Sequence, residues 1–283
     1  MTWDEGGIVV GVDGSEHSCA ALDWAAAEAD LLGVPRVHAF AINDFPSRDE
    51  EVWTVLRTVT DRVRAEHPAT EITEMVTRGR PASALIEMSE RTRLIVVGGR
   101  GGGSPAGMRL GSVSTKVATH ARCPVVVVRE PRARGPVLVG VDGSEQSVRA
   151  LQFAFEAAAA RRGELVAVQF WDVPGPELAI APPLRDELDL ARSESERSLA
   201  EQLAGWAERY PEVPVSRVSQ WGHPVFGLAD RTREAQLLVV GHRGRGGFAG
   251  LLLGSVAAGV ILHAHCPVAV VRGEEHRAGH RRA

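Results

Sequence analysis

Two glycine-rich segments with the same spacing are the strongest candidates for ligand chemistry in this chain. Each has a Gly-x-x-Gly group, nine further residues and a Gly-Ser pair at the start of an expected helix. The candidate binding residues are Gly98, Arg100, Gly101, Gly111, Ser112, Val113 and Ser114 in the first segment, and Gly241, Arg243, Gly244, Arg245, Gly246, Gly254, Ser255, Val256 and Ala257 in the second. Glycines allow close backbone approach, and a helix start offers N–H groups and a positive dipole end to an anion. The pattern therefore suits a polyphosphate.

The alternative for these glycines is purely structural, because tight strand-to-helix turns also use them. Recurrence of the whole spacing in both halves of the chain favours the phosphate interpretation. Other phosphate motifs are missing from the sequence, since no Gly-x-x-x-x-Gly-Lys-Ser/Thr run occurs. Gly244-Arg245-Gly246 resembles the start of a dinucleotide fingerprint, but it follows the expected fourth strand of its half and not the first.

An aspartate follows the expected first strand of each half. The run Gly11-Val12-Asp13-Gly14-Ser15-Glu16 returns letter for letter as residues 140–145, which contain Gly140 and Asp142. A carboxylate at the end of such a strand could hold a ribose, a base edge or a Mg²⁺ ion that screens phosphates. The alternative is an Asx turn or helix cap ahead of the following serine.

The repeated motifs predict two tandem domains. The second copy of the aspartate motif begins 129 residues after the first, whereas the His-Ala-x-Cys-Pro-Val run near the end of each half recurs after 143 residues. The second half is therefore longer by 14 residues, which we place in 172–184. We predict domains at 1–130 and 137–273, a linker at 131–136 and a disordered tail at 274–283.

Apolar runs and helical patterns alternate in each half. In the first half we predict strands at 8–12, 36–42, 71–77, 94–98 and 124–129, and helices at 18–32, at 49–66, from Pro81 onward and at 112–120. This alternation indicates an α/β fold of two Rossmann-like domains, each a five-stranded parallel sheet with helices on both faces. Ligands bind such sheets beyond the carboxyl ends of the strands, where the strand order reverses.

Composition excludes several classes of protein. The net charge of −4 at pH 7 and the pI near 6.2 give no field for a nucleic-acid backbone, so we expect no nucleic acid partner. The longest apolar runs are far shorter than a membrane helix of about 20 residues, and residues 1–7 show no signal-peptide pattern. We therefore expect a cytoplasmic protein without a membrane partner. The 3 cysteines argue against a disulfide framework.

Taken together, the glycine spacing, the Val-Asp-Gly-Ser starts and the Cys-Pro-Val last strands resemble the tandem, ATP-binding class of universal stress proteins. The resemblance spans nearly all of both halves. It implies flavodoxin-like domains, ATP as cofactor bound without rapid hydrolysis, and an internal pseudodimer joined through the fifth strands, with a homodimer as a further option. It also implies that Asp13 and Asp142 contact the adenosine, that the glycine segments surround the ribose and phosphates, and that Ala39 and Phe170 lie near the adenine.

The two halves differ where the family more often has Gly-Arg-Gly-Gly-Phe. The first half has Gly102-Gly103-Ser104-Pro105, and the second has Arg245-Gly246-Gly247-Phe248, so we expect weaker binding at the first site. The leading hypothesis is a regulatory ATP-binding protein for stress responses. The alternatives are a slow ATP phosphohydrolase or phosphotransferase and a binder of another small nucleotide, such as a cyclic one. Absence of a Gly-x-Ser-x-Gly elbow and of an evident catalytic base favours binding without turnover.

Overall fold

The computed structural model describes residues 6–43, 48–102, 110–131, 134–171, 185–245 and 252–272. The first repeat contains strands β1 Ile8–Gly11, β2 Arg36–Asn43, β3 Glu71–Arg78, β4 Leu94–Gly98 and β5 Val125–Val128, and helices α1 Glu16–Leu32, α2 Asp49–Glu66, α3 Pro81–Met88 and α4 Ser112–His120. The second contains strands β6 Val137–Val141, β7 Leu165–Trp171, β8 Val215–Trp221, β9 Leu237–Gly241 and β10 Val268–Val271, and helices α5 Glu145–Ala160, α6 Arg185–Leu203, α7 Trp206–Arg209, α8 Pro224–Arg231 and α9 Ser255–His263. The alternation of strands and helices predicted from the sequence is confirmed.

All ten strands of the described residues form one sheet, in the order β3-β2-β1-β4-β5-β10-β9-β6-β7-β8. Within each repeat the strands are parallel, and their order is the Rossmann-like one, with the reversal between β1 and β4 or between β6 and β9. Two crevices for ligands are therefore expected, one above each reversal.

Helices cover both faces of the sheet. On one face, α1, α2, α5 and α6 pack over a continuous apolar layer, and on the other face α3, α4, α8 and α9 do the same. The central strands are buried on both sides, so they are apolar throughout: every residue of Leu94–Gly98 is buried. The predicted fold class of tandem α/β domains is confirmed.

Local sequence signals fix where the first helix of each repeat begins. The Ser15 hydroxyl accepts a hydrogen bond from the Ser18 N–H, and Ser144 does the same for Ser147. Helix α1 ends at Gly33, whose φ of 62° is the left-handed conformation that glycine adopts without strain. These caps place the aspartate that precedes each serine at the mouth of its crevice.

The repeats meet through their last strands, as the pseudodimer prediction requires. Strand β10 pairs antiparallel with β5, so neither strand is left as an open edge. Two arginines reinforce this contact reciprocally: Arg129 donates to the Leu262 carbonyl at the end of α9, and Arg272 donates to the Thr119 carbonyl at the end of α4. A cation beside the last carbonyls of a helix is favourable. Each repeat therefore stabilises a helix C-terminus of the other.

Candidate functional site

The crevice of the first repeat lies above the reversal between β1 and β4. Its volume is about 450 Å³, and it brings together nine predicted residues, Gly11, Asp13, Gly98, Arg100, Gly101, Gly111, Ser112, Val113 and Ser114. The second crevice has a volume of about 510 Å³ and brings together Gly140, Asp142, Phe170, Gly241, Arg243, Gly244, Arg245, Gly254, Ser255, Val256 and Ala257. Apart from Ala39 and Gly246, the residues selected from the sequence are therefore neighbours in space. Gly246 lies outside the described residues, as do Gly103, Ser104, Pro105 and Phe248.

Asp13 ties the start of α1 to the glycine loop. Its Oδ1 accepts hydrogen bonds from the Ser15 N–H at 3.0 Å and the Ser15 hydroxyl at 2.6 Å, while its Oδ2 accepts from the Gly102 N–H at 2.9 Å. Partial burial acts to raise the pKa of Asp13, but the hydrogen bonds lower it by a larger amount, so the net pKa lies below its usual value. The side chain is therefore a carboxylate at neutral pH.

Asp142 repeats this geometry at the second site. Its Oδ1 accepts from the Ser144 N–H at 3.0 Å and the Ser144 hydroxyl at 2.6 Å, and its Oδ2 accepts from the Arg245 N–H at 2.8 Å. The Arg245 guanidinium donates to the Gly143 carbonyl at 3.2 Å. The Asx turn considered as an alternative from the sequence is therefore present in both repeats, and it leaves the carboxylates at the crevice.

The glycine loops need glycine because the aspartates lie against them. A Cβ on Gly101 would lie 2.5 Å from Asp13 Oδ2, and one on Gly244 would clash with Asp142 Oδ2. Neither glycine has a positive φ. Gly98 is constrained differently, since a Cβ there would lie 2.7 Å from the backbone of His17 in the first turn of α1. The loop sequence thus permits close approach of the strand end, the aspartate and the next helix.

Helices α4 and α9 start at the crevices without a side-chain cap. Gly111 and Gly254 occupy the N-cap positions, and neither has a side chain to satisfy the first N–H groups of its helix. Ser112 and Ser255 follow and are exposed. The Ser114 hydroxyl is used internally, because it donates to the Gly98 carbonyl at 2.6 Å. Each helix start therefore presents its first main-chain N–H groups together with one exposed serine hydroxyl.

An arginine from each loop lines its crevice. Arg100 Nε donates to His17 Nε2 at 3.1 Å in the first repeat. In the second repeat Gln146 stands in the position of His17, and Arg243 Nε is buried with no hydrogen-bond partner among the described residues. A buried N–H without a partner is costly. Arg243 therefore carries a buried donor that is unpaired among the described residues.

Ala39 is not at the crevice. It has no exposed surface, pairs with Val10 in the middle of the sheet and packs in the apolar layer under α1. The strand runs on to Asn43, so its carboxyl end lies beyond Ala39, and Ile42 is the β2 residue that lines the crevice. Phe170 occupies the corresponding place on β7 and does line the second crevice. The prediction that Ala39 lies at the crevice was therefore wrong, because the residue equivalent to Phe170 is Ile42, three residues further along β2.

No group of three or more potential metal-ligating side chains occurs among the described residues. Each crevice contributes a single aspartate, and both of its oxygens already accept hydrogen bonds. Mg²⁺ prefers several oxygen ligands and often takes part of its coordination from phosphates. A divalent ion would therefore fit here only as part of a metal–phosphate complex.

Within the described residues, no helix is long and apolar enough to cross a membrane.

Both halves thus define an α/β protein with a glycine-lined crevice above each strand-order reversal. The model of the Universal stress protein family matches residues 7–129 and 134–272. This chain belongs to the universal stress protein family, with two copies in tandem.

Relatives extend over nearly the whole chain. The chain is 38% identical to the universal stress protein Rv2005c of Mycobacterium tuberculosis, over 94% of this chain and 97% of that protein. It is also 38% identical to a universal stress protein of Mycolicibacterium smegmatis, over 95% of this chain and 97% of that protein. The crystal structure of a universal stress protein from Archaeoglobus fulgidus shares the fold, with a TM-score of 0.67 at 24% identity, over 95% of this chain and 99% of that one.

Several residues of the crevices escaped the sequence analysis. Ile42 and Trp221 line them, and His17 bonds to Arg100. A position-by-position alignment of the two repeats places Trp221 opposite Arg78, each at the end of the third strand of its repeat. This difference between the repeats could have indicated Trp221. His17 gave no signal, since its partner is 83 residues away in the chain.

Proposed function

We propose that this chain binds one adenine nucleotide per repeat, with ATP as the preferred ligand, and regulates other processes through occupancy. The observation that carries the proposal is the double occurrence of one cradle. In each repeat a glycine loop, an aspartate carboxylate and a helix start without a side-chain cap surround one crevice.

The phosphates belong at the helix start. The first N–H groups of α4 and α9 and the positive ends of the helix dipoles favour an anion there. Arg100 and Arg243 line the crevices and add positive charge. A phosphate oxygen would also satisfy the buried Nε of Arg243. These features account for negative charge in the ligand.

The adenosine belongs beyond the aspartate. In the first repeat, a neighbouring cavity of about 370 Å³ shares Val12, Asp13 and Ile42 with the crevice and continues between β2 and α2. Apolar side chains, including Val52 and Leu56, form much of its wall. An apolar wall with a few polar groups is typical of a site for a planar ring attached to a polar sugar. The Asp13 carboxylate stands between the two cavities and can accept ribose hydroxyls.

Binding without rapid turnover fits the side chains at the first crevice. Rapid hydrolysis needs an oriented water and charge stabilisation in the transition state. Asp13 is the only acidic side chain lining the first crevice among the described residues, and its lowered pKa makes it a weak base. At the second crevice His223 is a further titratable group, and it keeps slow hydrolysis at that site as the second candidate.

Native mass spectrometry of the purified chain with Mg-ATP, and separately with cAMP, tests the proposal. We expect complexes with up to two ATP molecules and weaker retention of cAMP. Phosphate release under saturating Mg-ATP separates binding from catalysis. A rate near or above about 1 s⁻¹ that is lost in His223→Ala would establish an enzyme and contradict regulation by occupancy alone.

A further inference from the structure

The second crevice differs from the first at the ends of the two outer strands. In the first repeat these ends carry Asn43 and Arg78, which face each other in the β2–β3 register. Both donate to Asp49 at the start of α2, at 2.8 and 3.1 Å. In the second repeat the same two register positions carry Trp171 and Trp221. A hydrogen-bonded polar cluster in one repeat is thus replaced by a pair of indoles in the other.

Both indoles line the second crevice itself. The cavity that contains the glycine cradle of the second repeat extends past the end of β7 to β8, where its wall includes Phe170, Trp171 and Trp221. The first crevice includes neither Asn43 nor Arg78 in its wall. Asn43 instead lines the neighbouring cavity between β2 and α2, so an aromatic extension that is continuous with the cradle is a property of the second repeat.

Two details indicate that the extension can accept a ligand. Trp221 is 55% exposed, which is unusual for the largest apolar side chain and leaves its ring accessible. Trp171 Nε1 is buried without a hydrogen-bond partner among the described residues, although a buried indole N–H usually has one. One indole thus offers an accessible face, and the other has a buried N–H donor that is unpaired among the described residues.

The Phe170 ring packs against α8 in a space that a glycine leaves open. A Cβ on Gly227 in α8 would overlap the Phe170 ring, so glycine is required at that helical position despite its low helix propensity. The first repeat has Ala84 at the position of Gly227 and Ile42 at that of Phe170. The aromatic side chain and the glycine therefore occur together in one repeat only.

We propose that this extension is a subsite for the planar aromatic base of a nucleotide, which stacks on Trp221 while Trp171 Nε1–H donates to an acceptor of the ligand. The proposal rests on the proposed function, because it takes the phosphates to lie in the cradle of the same crevice. It makes the two sites of one chain different: aromatic stacking holds the ligand only at the second.

Indole ¹⁵N–¹H NMR of the full-length chain during titration with ATP, adenosine and inorganic tripolyphosphate tests this proposal. Trp171→Phe and Trp221→Phe assign the two signals. ATP and adenosine should shift both signals, with a downfield shift for Trp171 as its N–H gains an acceptor. The signal of Trp24, which is buried in α1 and lines neither cavity of the first repeat, serves as the internal reference.

Trp221→Ala should weaken ATP binding at the second site by about 5- to 140-fold, the range for loss of one base–aromatic stack. Tripolyphosphate affinity should not change, and Trp221→Phe should restore most of the ATP affinity because it keeps an aromatic face. Arg78→Ala, at the matching position of the first repeat, should leave the second site unaffected.

Each other outcome decides against the inference in a distinguishable way. Unchanged ATP affinity in Trp221→Ala would overturn the aromatic subsite and leave the proposed function intact. Equal weakening of ATP and tripolyphosphate would show that Trp221 only supports the fold of the crevice. Failure of ATP and tripolyphosphate to bind wild-type protein would overturn the proposed function itself, and the subsite with it.

Discussion

Replacement of Gly101 by alanine tests the role of the glycine loop at the first site. The new methyl group would lie 2.5 Å from Asp13 Oδ2, whereas carbon and oxygen atoms in contact need more than about 3 Å. The carboxylate must therefore move by up to about 1 Å. Its hydrogen bond from the Gly102 N–H, now 2.9 Å long, would then exceed hydrogen-bonding distance.

The magnitude follows from that hydrogen bond. Hydrogen bonds to charged groups contribute about 1.5–3 kcal/mol, and solvent exposure of Asp13 places this one at or below the lower end. We therefore expect Gly101→Ala to lower the free energy of unfolding by about 1–1.5 kcal/mol relative to a matched glycine-to-alanine control. In binding, displacement of Asp13 should weaken nucleotide affinity at the first site by about tenfold.

Gly102→Ala provides the matched control. A Cβ at Gly102 would meet nothing within 4 Å, and both substitutions reduce the entropy of the unfolded chain equally. Denaturant unfolding and nucleotide titration of the two variants give the comparison. If Gly101→Ala and Gly102→Ala were indistinguishable in both measurements, the close approach of Asp13 to the loop would not matter in solution.

Three further predictions concern packing, the contact between repeats and pH. Gly227→Ala should lower the free energy of unfolding by about 1–3 kcal/mol through overpacking against Phe170, and Phe170→Ile in the same chain should restore most of it. Arg129→Ala should cost about 1–2 kcal/mol in denaturant unfolding, because it removes hydrogen bonds between the repeats. Burial, Arg272 and Arg243 lower the pKa of His242 from 6.5 to about 4. Between these pH values the unfolded chain binds a proton at His242 that the folded chain does not bind. The free energy of unfolding should therefore fall as the pH drops from 6.5 to 4.

Each of these three predictions would be contradicted by a different result. Equal stability of Gly227→Ala and wild type would show that the Phe170 ring can move aside freely. An Arg129→Ala chain as stable as wild type would mean that β-strand pairing alone joins the repeats. For pH, His242→Gln should flatten the dependence between pH 6.5 and 4, and an unaltered slope would assign the effect to other groups.

Sequence patterns predicted the fold well because most of its strands and helix starts have local sequence signals. Short β-branched strands such as Leu94–Gly98 are buried on both faces, so they have no polar face to obscure their bounds. Serine caps and the Pro81 helix start are likewise local signals. Pairing of β5 with β10 was implied by the family resemblance, and it leaves neither strand as an open edge.

The finer features of the site depended on contacts that local patterns do not encode. Ala39 was implied by the family resemblance, but it lies inside β2, and only the three-dimensional structure identifies Ile42 as the β2 residue at the crevice. The steric reason for Gly101 involves Asp13, which is distant in sequence. The reciprocal bonds of Arg129 and Arg272 span the two repeats, so no window of sequence contains both partners.

Calorimetric titration with Mg-ATP is the most direct test of the central claim that the duplicated cradle binds one nucleotide per repeat. We expect two ATP molecules per wild-type chain, with the first repeat as the weaker site. We also expect Gly101→Ala and Gly244→Ala each to weaken one site and leave the other unchanged. Absence of binding in the wild type, or two sites of undiminished affinity in a chain that carries both substitutions, would contradict it.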